Sequence, residues 1–339
     1  MPISLSTWKH GFQPNQITYD AVLSGKSALD AVEFGARYCE ADLTCMSVGR
    51  GGLPDAMGEV TLDAAIMDHE GNCGAVAFVQ NYEHVASIAR RVMEKTPHVM
   101  LVGEGAERFA ASEGFKKTDL LTEKAKALWE QWMTQPDKLH VRLRRAEEGE
   151  HEYVFVKVDD KGAESEISRD GIQPPPTPSL KRRGEFSHDT IGILAMDNAG
   201  HLAGACTTSG LAFKMQGRVG DSPIIGAGLY VAGGIAAAVA TGNGELMMRA
   251  CSAFHIVEMI RQGIGPEEAC ERAIARIEQD KHLTDDMQAD LMVIRADGAW
   301  AARSLRPGFQ LAAASDRTKG ENILYDITSD SISAIKQYL

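Results

Sequence analysis

One segment decides how the chain must be divided. From residue 140 to residue 187 it carries Arg142-Leu143-Arg144-Arg145, Glu147-Glu148-Gly149-Glu150, Pro174-Pro175-Pro176-Thr177-Pro178 and Lys181-Arg182-Arg183. Proline clusters remove backbone donors, and dense charge resists burial. The segment is therefore expected to be a mobile surface linker, with residues 153–158 as one short strand. It stops just before His188-Asp189-Thr190-Ile191-Gly192, where apolar alternation begins. Any core must be assembled from the two pieces on either side.

Those pieces follow the same logic. In the first, residues 2–7 are predicted to form a strand, and 16–23 and 28–38 helices. Ser27 with Asp30 three residues on is a capping-box-like start for the second helix. Residues 60–67 and 73–79 form a predicted hairpin around His69-Glu70-Gly71-Asn72, whose Gly and Asn favour a turn. Helices are predicted near 85–93 and 105–114. In the second piece, 190–196 and 202–207 flank the turn Asp197-Asn198-Ala199-Gly200. A helix is predicted over 245–262, stopped by Gly263, and another from Gly265-Pro266-Glu267-Glu268, with proline and acids at its start. A last hairpin, 291–294 with 300–304, turns at Asp297-Gly298. Hairpins with grouped helices indicate an α+β fold, in its simplest form two sheets face to face with helices outside.

Composition narrows the function. With 44% apolar and 24% charged residues, the 339-residue chain can bury a large core in one or two domains. A net charge of -12 argues against nucleic acid and anionic membranes as partners. No run approaches a membrane span, and Met1 to Thr7 has no signal-peptide pattern. The chain as written is thus expected to be cytoplasmic, or periplasmic or lysosomal if a signal was removed. The six cysteines form no CxxC pair, so neither a zinc knuckle nor a redox motif is expected. Cys39 and Cys45 are near enough in sequence for a disulfide; buried free thiols are the other reading. His255 and Glu258 share a helix face but do not make a metal site. No metal or cofactor is expected.

The chemistry concentrates at Thr190. Its hydroxyl, at the start of a strand, is placed to attack the Asp189 carbonyl, and hydrolysis of the resulting ester would free the Thr190 α-amine. Such an amine titrates near 7.7–8.0, about where a general base is useful. One residue would then supply both nucleophile and base. Downstream lie Thr207-Thr208-Ser209-Gly210, the run from Gly217 through Arg218, Gly220, Asp221 and Ser222 to Gly228, and Ala240-Thr241-Gly242-Asn243-Gly244-Glu245. Glycine at this density suits close backbone approach to a ligand. By themselves, Arg218 and Asp221 would read as a surface ion pair, Trp8 as core, and Thr241 to Gly244 as a helix-entry turn.

These runs together resemble glycosylasparaginase (aspartylglucosaminidase), an N-terminal-nucleophile hydrolase family. The resemblance extends to Ser6-Thr7-Trp8, Ser47-Val48-Gly49-Arg50-Gly51-Gly52, Thr61-Leu62-Asp63-Ala64 and Glu94-Lys95-Thr96-Pro97-His98. It implies a four-layer αββα sandwich, made as a precursor and cut between Asp189 and Thr190 into chains 1–189 and 190–339. It also implies a dimer of cleaved pairs and a small glycosylated asparagine as substrate. Thr190 would be the nucleophile, supported by Thr208, with Thr241 and Gly242 as the oxyanion hole. Arg218 would take the substrate α-carboxylate and Asp221 its α-ammonium, with Gly244 and Trp8 lining the pocket. Arg50 stands where that family would carry an aromatic residue, which bears on the part of the pocket that meets the leaving group.

Two other readings have distinct signatures. A plant-type asparaginase or β-aspartyl peptidase would carry Gly before the nucleophile, where this chain has Asp189. A non-catalytic binding protein of the same fold would stay uncut and would not need Thr190.

Overall fold

Strands that are apolar on both faces must be covered on both sides. In the computed structural model, which describes residues 1–134, 139–145, 151–158, 164–166, 190–329 and 331–334, the central strands meet that requirement. The first piece runs β1 (Ile3–Thr7), α1 (Phe12–Leu23), α2 (Ala28–Ala41), β2 (Leu62–Met67), β3 (Cys73–Val79), α3 (Val85–Lys95), β4 (Met100–Val102), α4 (Gly103–Ser112) and α5 (Glu123–Met133). Strands β5 (Leu139–Arg145), β6 (His151–Val158) and β7 (Glu164–Glu166) follow. The second piece runs β8 (Ile191–Met196), β9 (Leu202–Thr208), β10 (Leu229–Ala232), β11 (Ala236–Gly242), α6 (Gly244–Ala250), α7 (Ser252–Arg261) and α8 (Pro266–Glu278). It ends with β12 (Ala289–Arg295), β13 (Trp300–Ser304), β14 (Phe309–Ser315), β15 (Asn322–Ile327) and β16 (Ile332–Ala334).

Two sheets stack. The nine-stranded sheet has the order β16-β15-β14-β1-β8-β9-β2-β3-β4, and the four-stranded sheet β10-β11-β12-β13. Pairing is antiparallel except between β3 and β4. On β8, Ile191, Ile193 and Ala195 face the helix side, with Val22, Val32 and Ala36 in their cluster. Leu194 and Met196 face the other way, into a core shared with Val239, Met292 and Ile294 of the second sheet. The far side of that sheet buries Ala238, Ala240 and Leu291 against Met247, Ile256 and Ile274 of α6, α7 and α8. The result is the αββα sandwich. The sheets approach closely at Gly192, where a Cβ would sit 2.1 Å from Val239 Cγ1, so β8 needs glycine there.

Helix starts follow the local rules. Ser27 Oγ accepts the Asp30 N–H at 3.1 Å to cap α2, and Pro266 opens α8. Local reading fails in three places. The predicted helix 245–262 is two helices, because Cys251 takes a left-handed conformation at φ 47° and ψ 51°. The break is made by tertiary bonds: the Ala253 and Phe254 N–H groups donate to the carbonyls of Ala227 and Gly226 at 3.2 and 2.9 Å. Strands β4, β10, β11, β14, β15 and β16 and helix α5 have no counterpart among the predicted elements. Where the linker is predicted, β6 covers residues 153–158 but pairs with β5 and β7 in a separate three-stranded sheet. The proline cluster and Lys181-Arg182-Arg183 lie outside the described residues.

Cys39 and Cys45 are buried free thiols with their sulfurs 4.0 Å apart. Among the described residues, no helix is long and apolar enough to cross a membrane.

Candidate active site

Thr190 immediately precedes β8 and is 5% exposed. Its partner in the bond expected to be cut, Asp189, lies outside the described residues. The order of the large sheet puts β8 between β1 and β9, so groups from the start of the chain reach Thr190. Thr7, the last residue of β1, donates its hydroxyl to the Thr190 carbonyl at 2.8 Å and accepts the Gly192 N–H at 2.9 Å. One threonine thus clamps the backbone on both sides of Ile191. The Thr190 hydroxyl itself lies 3.0 Å from Ser222 Oγ.

The second sheet supplies the opposite wall. Thr241, near the end of β11, donates its hydroxyl to the Thr190 carbonyl at 3.3 Å and accepts the Trp8 indole N–H at 3.0 Å. Trp8 pays for this placement with a backbone at φ 63°, rare for a bulky residue. Phe309 meets its ring edge-on at 5.0 Å. Gly242 follows at φ 110°, and a Cβ there would stand 2.4 Å from the Gln288 carbonyl oxygen. Both the conformation and the space require glycine.

A small cleft opens beside Thr190, lined by Thr208, Gly210, Arg218, Gly220, Asp221 and Gly242 among others. Asp221 is 3% exposed, and its Oδ2 is buried without a hydrogen-bond partner. Burial raises its pKa to about 7, with smaller upward pushes from Glu245 and Asp63 and a downward pull from Arg218. A buried carboxylate with an unused oxygen is chemically suited to a cation. Gly244 packs against it: a Cβ there would be 2.7 Å from Asp221 Oδ1. Arg218 is not paired with Asp221. Its Nε and Nη2 both donate to the Glu245 carboxylate, each at 2.9 Å.

Thr208 lines the cleft, but its hydroxyl bonds elsewhere: it donates to the Ser47 carbonyl at 3.4 Å and accepts the Gly210 N–H at 3.0 Å. Behind this turn, the buried Lys214 ammonium donates to the Ser209 carbonyl at 2.9 Å and lies 4.0 Å from Asp63 Oδ2. Burial lowers the pKa of Lys214 and raises that of Asp63. Arg50 donates its backbone N–H to the Glu40 carbonyl at 2.8 Å, while its Nε is buried without a partner. Among the described residues, one group has metal-ligand atoms gathered together: His10, Cys39 and Cys45, within 4.8 Å of one another. None of the three lines the cleft.

The sequence-predicted residues therefore converge. Thr190, Thr208, Arg218, Asp221 and Gly242 share the cleft, Thr241 and Trp8 bond into its wall, and Gly244 backs Asp221. Thr7, Ser222 and Glu245 carry contacts that sequence reasoning does not assign. Each stands inside a quoted run, next to Trp8, Asp221 and Gly244 respectively. Chemically, the cleft offers a buried hydroxyl, a guanidinium and a cation-seeking carboxylate.

The chain was compared with known proteins. A family model described as "Asparaginase" matches residues 13–324. The chain is similar to the N(4)-(β-N-acetylglucosaminyl)-L-asparaginase of Elizabethkingia miricola, with 42% identity over 92% of this chain and 81% of that protein. It is also similar to the proteins of that name from Rattus norvegicus and Mus musculus, 36% and 37% identical, each over 82% of this chain and 78% of theirs.

Proposed function

This chain belongs to the asparaginase family, and on that premise we propose that it is a self-cutting N4-(β-N-acetylglucosaminyl)-L-asparaginase. It is an amidohydrolase that splits the side-chain amide between asparagine and N-acetylglucosamine. The observation that carries this reading is the meeting of Thr190, Arg218, Asp221 and Gly242 on one cleft. The four come from three separate runs of the sequence and line a single cleft.

The first reaction is on the chain itself. The Thr190 hydroxyl attacks the Asp189 carbonyl carbon, the peptide nitrogen leaves, and an ester joins the two residues. Water then splits the ester, giving a carboxylate on Asp189 and both a hydroxyl and an α-amine on Thr190. The Thr7 clamp and the hydroxyl of Ser222 support this step by fixing the Thr190 backbone and side chain.

In the second reaction the freed amine takes the proton of the Thr190 hydroxyl, which attacks the substrate amide carbon. Charge gathers on the amide oxygen, where Thr241 and the Gly242 N–H serve as donors. The glycosylamine leaves with a proton, and water releases aspartate from Thr190. Arg218 holds the α-carboxylate and Asp221 the α-ammonium, so the substrate amide is presented to Thr190 in one orientation. Trp8 holds Thr241, Gly244 lets the backbone come close to Asp221, and Thr208 shapes the turn beside the nucleophile. The working enzyme is a dimer of cut pairs.

N-terminal sequencing of the purified protein tests the first reaction, with Thr-Ile-Gly-Ile-Leu expected as a second N-terminus. Steady-state kinetics on glycosylated asparagine, L-asparagine and β-aspartyl dipeptides test the second. Turnover confined to β-aspartyl dipeptides would overturn the substrate assignment. Light scattering on the cut protein tests the dimer.

A further inference from the structure

A guanidinium has two edges that can grip a carboxylate. One is made by Nε and a terminal nitrogen, the other by the two terminal nitrogens. In Arg218 the first edge is filled by Glu245, through Nε and Nη2. The remaining edge, Nη1 with Nη2, lies over Gly220, where a Cβ would stand 2.9 Å from Nη1 and 3.2 Å from Nη2. Gly220 and Asp221 line the cleft with Arg218. The filled edge therefore faces α6, and the remaining edge lies against Gly220, itself part of the cleft lining.

The holder is well chosen. Glu245 sits in the first turn of α6, directly after Gly244, which packs on the Asp221 backbone and carboxylate. The Arg218 side chain is 14% exposed and that of Glu245 38%, so the glutamate stands on the outer side of the pair. Burial works to raise the pKa of Glu245, but the Arg218 hydrogen bonds and charge outweigh it, and the net shift is downward. The carboxylate is thus held in its charged, accepting form.

We propose that Glu245 is a positioning residue that sets substrate specificity: by occupying the Nε edge of Arg218, it fixes the terminal edge toward the cleft as the seat of the substrate α-carboxylate. This rests on the functional reading above. A long, flexible arginine would otherwise sample several rotamers, and only some would present that edge. The sign of the effect separates this role from simple charge. Removing a negative group beside an incoming carboxylate should tighten binding if Glu245 acts only through repulsion, or only by blocking the arginine. If Glu245 positions Arg218, its removal weakens binding.

The test compares the cut wild-type enzyme with Glu245→Gln and Glu245→Ala on two substrates. One is the glycosylated asparagine; the other is the same amide without its α-carboxylate, the N-acetylglucosaminyl amide of β-alanine. For the first, KM is expected to rise about ten-fold or more with kcat within about two-fold. For the second, neither variant should change KM. An equal rise for both substrates would mean a merely structural role, and an unchanged or lower KM for the first would mean no positioning; either sinks the proposal. Calorimetric titration with L-aspartate provides a readout that needs no turnover. Weaker binding in both variants is expected. If the wild type fails to hydrolyse glycosylated asparagine, the functional reading falls. If it binds L-aspartate no better than the variants do, or not at all, the Glu245 inference falls.

Discussion

Thr190 carries two expectations that belong to a single side chain. Thr190→Ala has no hydroxyl to attack Asp189, so it should remain one full-length band on a denaturing gel. Its turnover should be below roughly a ten-thousandth of wild type. Thr190→Cys keeps a nucleophile and should still be cut. Asp221 gives a pH expectation. Its pKa, raised from 3.8 to about 7 chiefly by burial, leaves it charged above that pH and neutral below. An α-ammonium needs the charged form, so kcat/KM should fall below pH 7 with one more proton in its slope than the α-amine alone would give. Asp221→Asn should raise KM and remove that added proton. The same shift has a stability sign: the folded chain binds the proton more tightly than the unfolded one, so this group's contribution is greatest at low pH and is lost between about pH 4 and 7. The meeting of Thr190, Arg218, Asp221 and Gly242 on one cleft was legible through the resemblance of their runs to glycosylasparaginase, since by themselves these residues read as an ion pair and a helix-entry turn. The Thr7 clamp and the Glu245 grip were not, since they join residues 183 and 27 positions apart. A hydroxyl or carboxylate within a motif does not announce which distant atom it will meet.

Elements were read well where local rules acted alone and poorly where packing overruled them. The β2–β3 hairpin and α2 with its Ser27 cap were found from turn chemistry and capping. Strands β11 and β14, with Ala236-Ala237-Ala238 and Ala312-Ala313-Ala314, were hidden because alanine disfavours strands by propensity. Alanine suits β11 nonetheless, because its sheet lies between the large sheet and the outer helices, and small side chains let those layers close. The break between α6 and α7 was hidden for a related reason: the apolar pattern continues through Cys251, while the bonds that make the break come from Gly226 and Ala227. That break yields an expectation. Cys251 is exposed and held at φ 47°, a conformation glycine adopts at less cost. In an uncut Thr190→Ala background, Cys251→Gly should stabilise the fold by about 0.5–1 kcal/mol in denaturant unfolding. A loss of stability would show that the thiol, not the backbone, matters there.

The whole molecule is organised by the order of its large sheet. Reading across, β16, β15 and β14 come from the piece after Thr190, then β1 from the piece before it, then β8 and β9, then β2, β3 and β4. Strand β1 is flanked on both sides by strands of the later piece, in register from Ile3 with Ser315 and with Met196. The sequence indicated two sheets and outer helices, since hairpins and helices were grouped; it did not indicate this alternation, which depends on pairings between opposite ends of the chain. The alternation has a consequence in time. If the chain is cut as proposed, the pieces find each other beforehand within one molecule, so assembly is first order and indifferent to dilution. After the cut the same partners are separate molecules, and a denatured enzyme must reassemble by collision. Recovery of the cut enzyme from denaturant should therefore drop as protein concentration is lowered, while Thr190→Ala recovers equally at every dilution. Equal recovery of both would contradict it. On that proposal the scissile bond acts as a ratchet on the protein's history: the interleaved strands assemble once within a single chain, and each later assembly needs two.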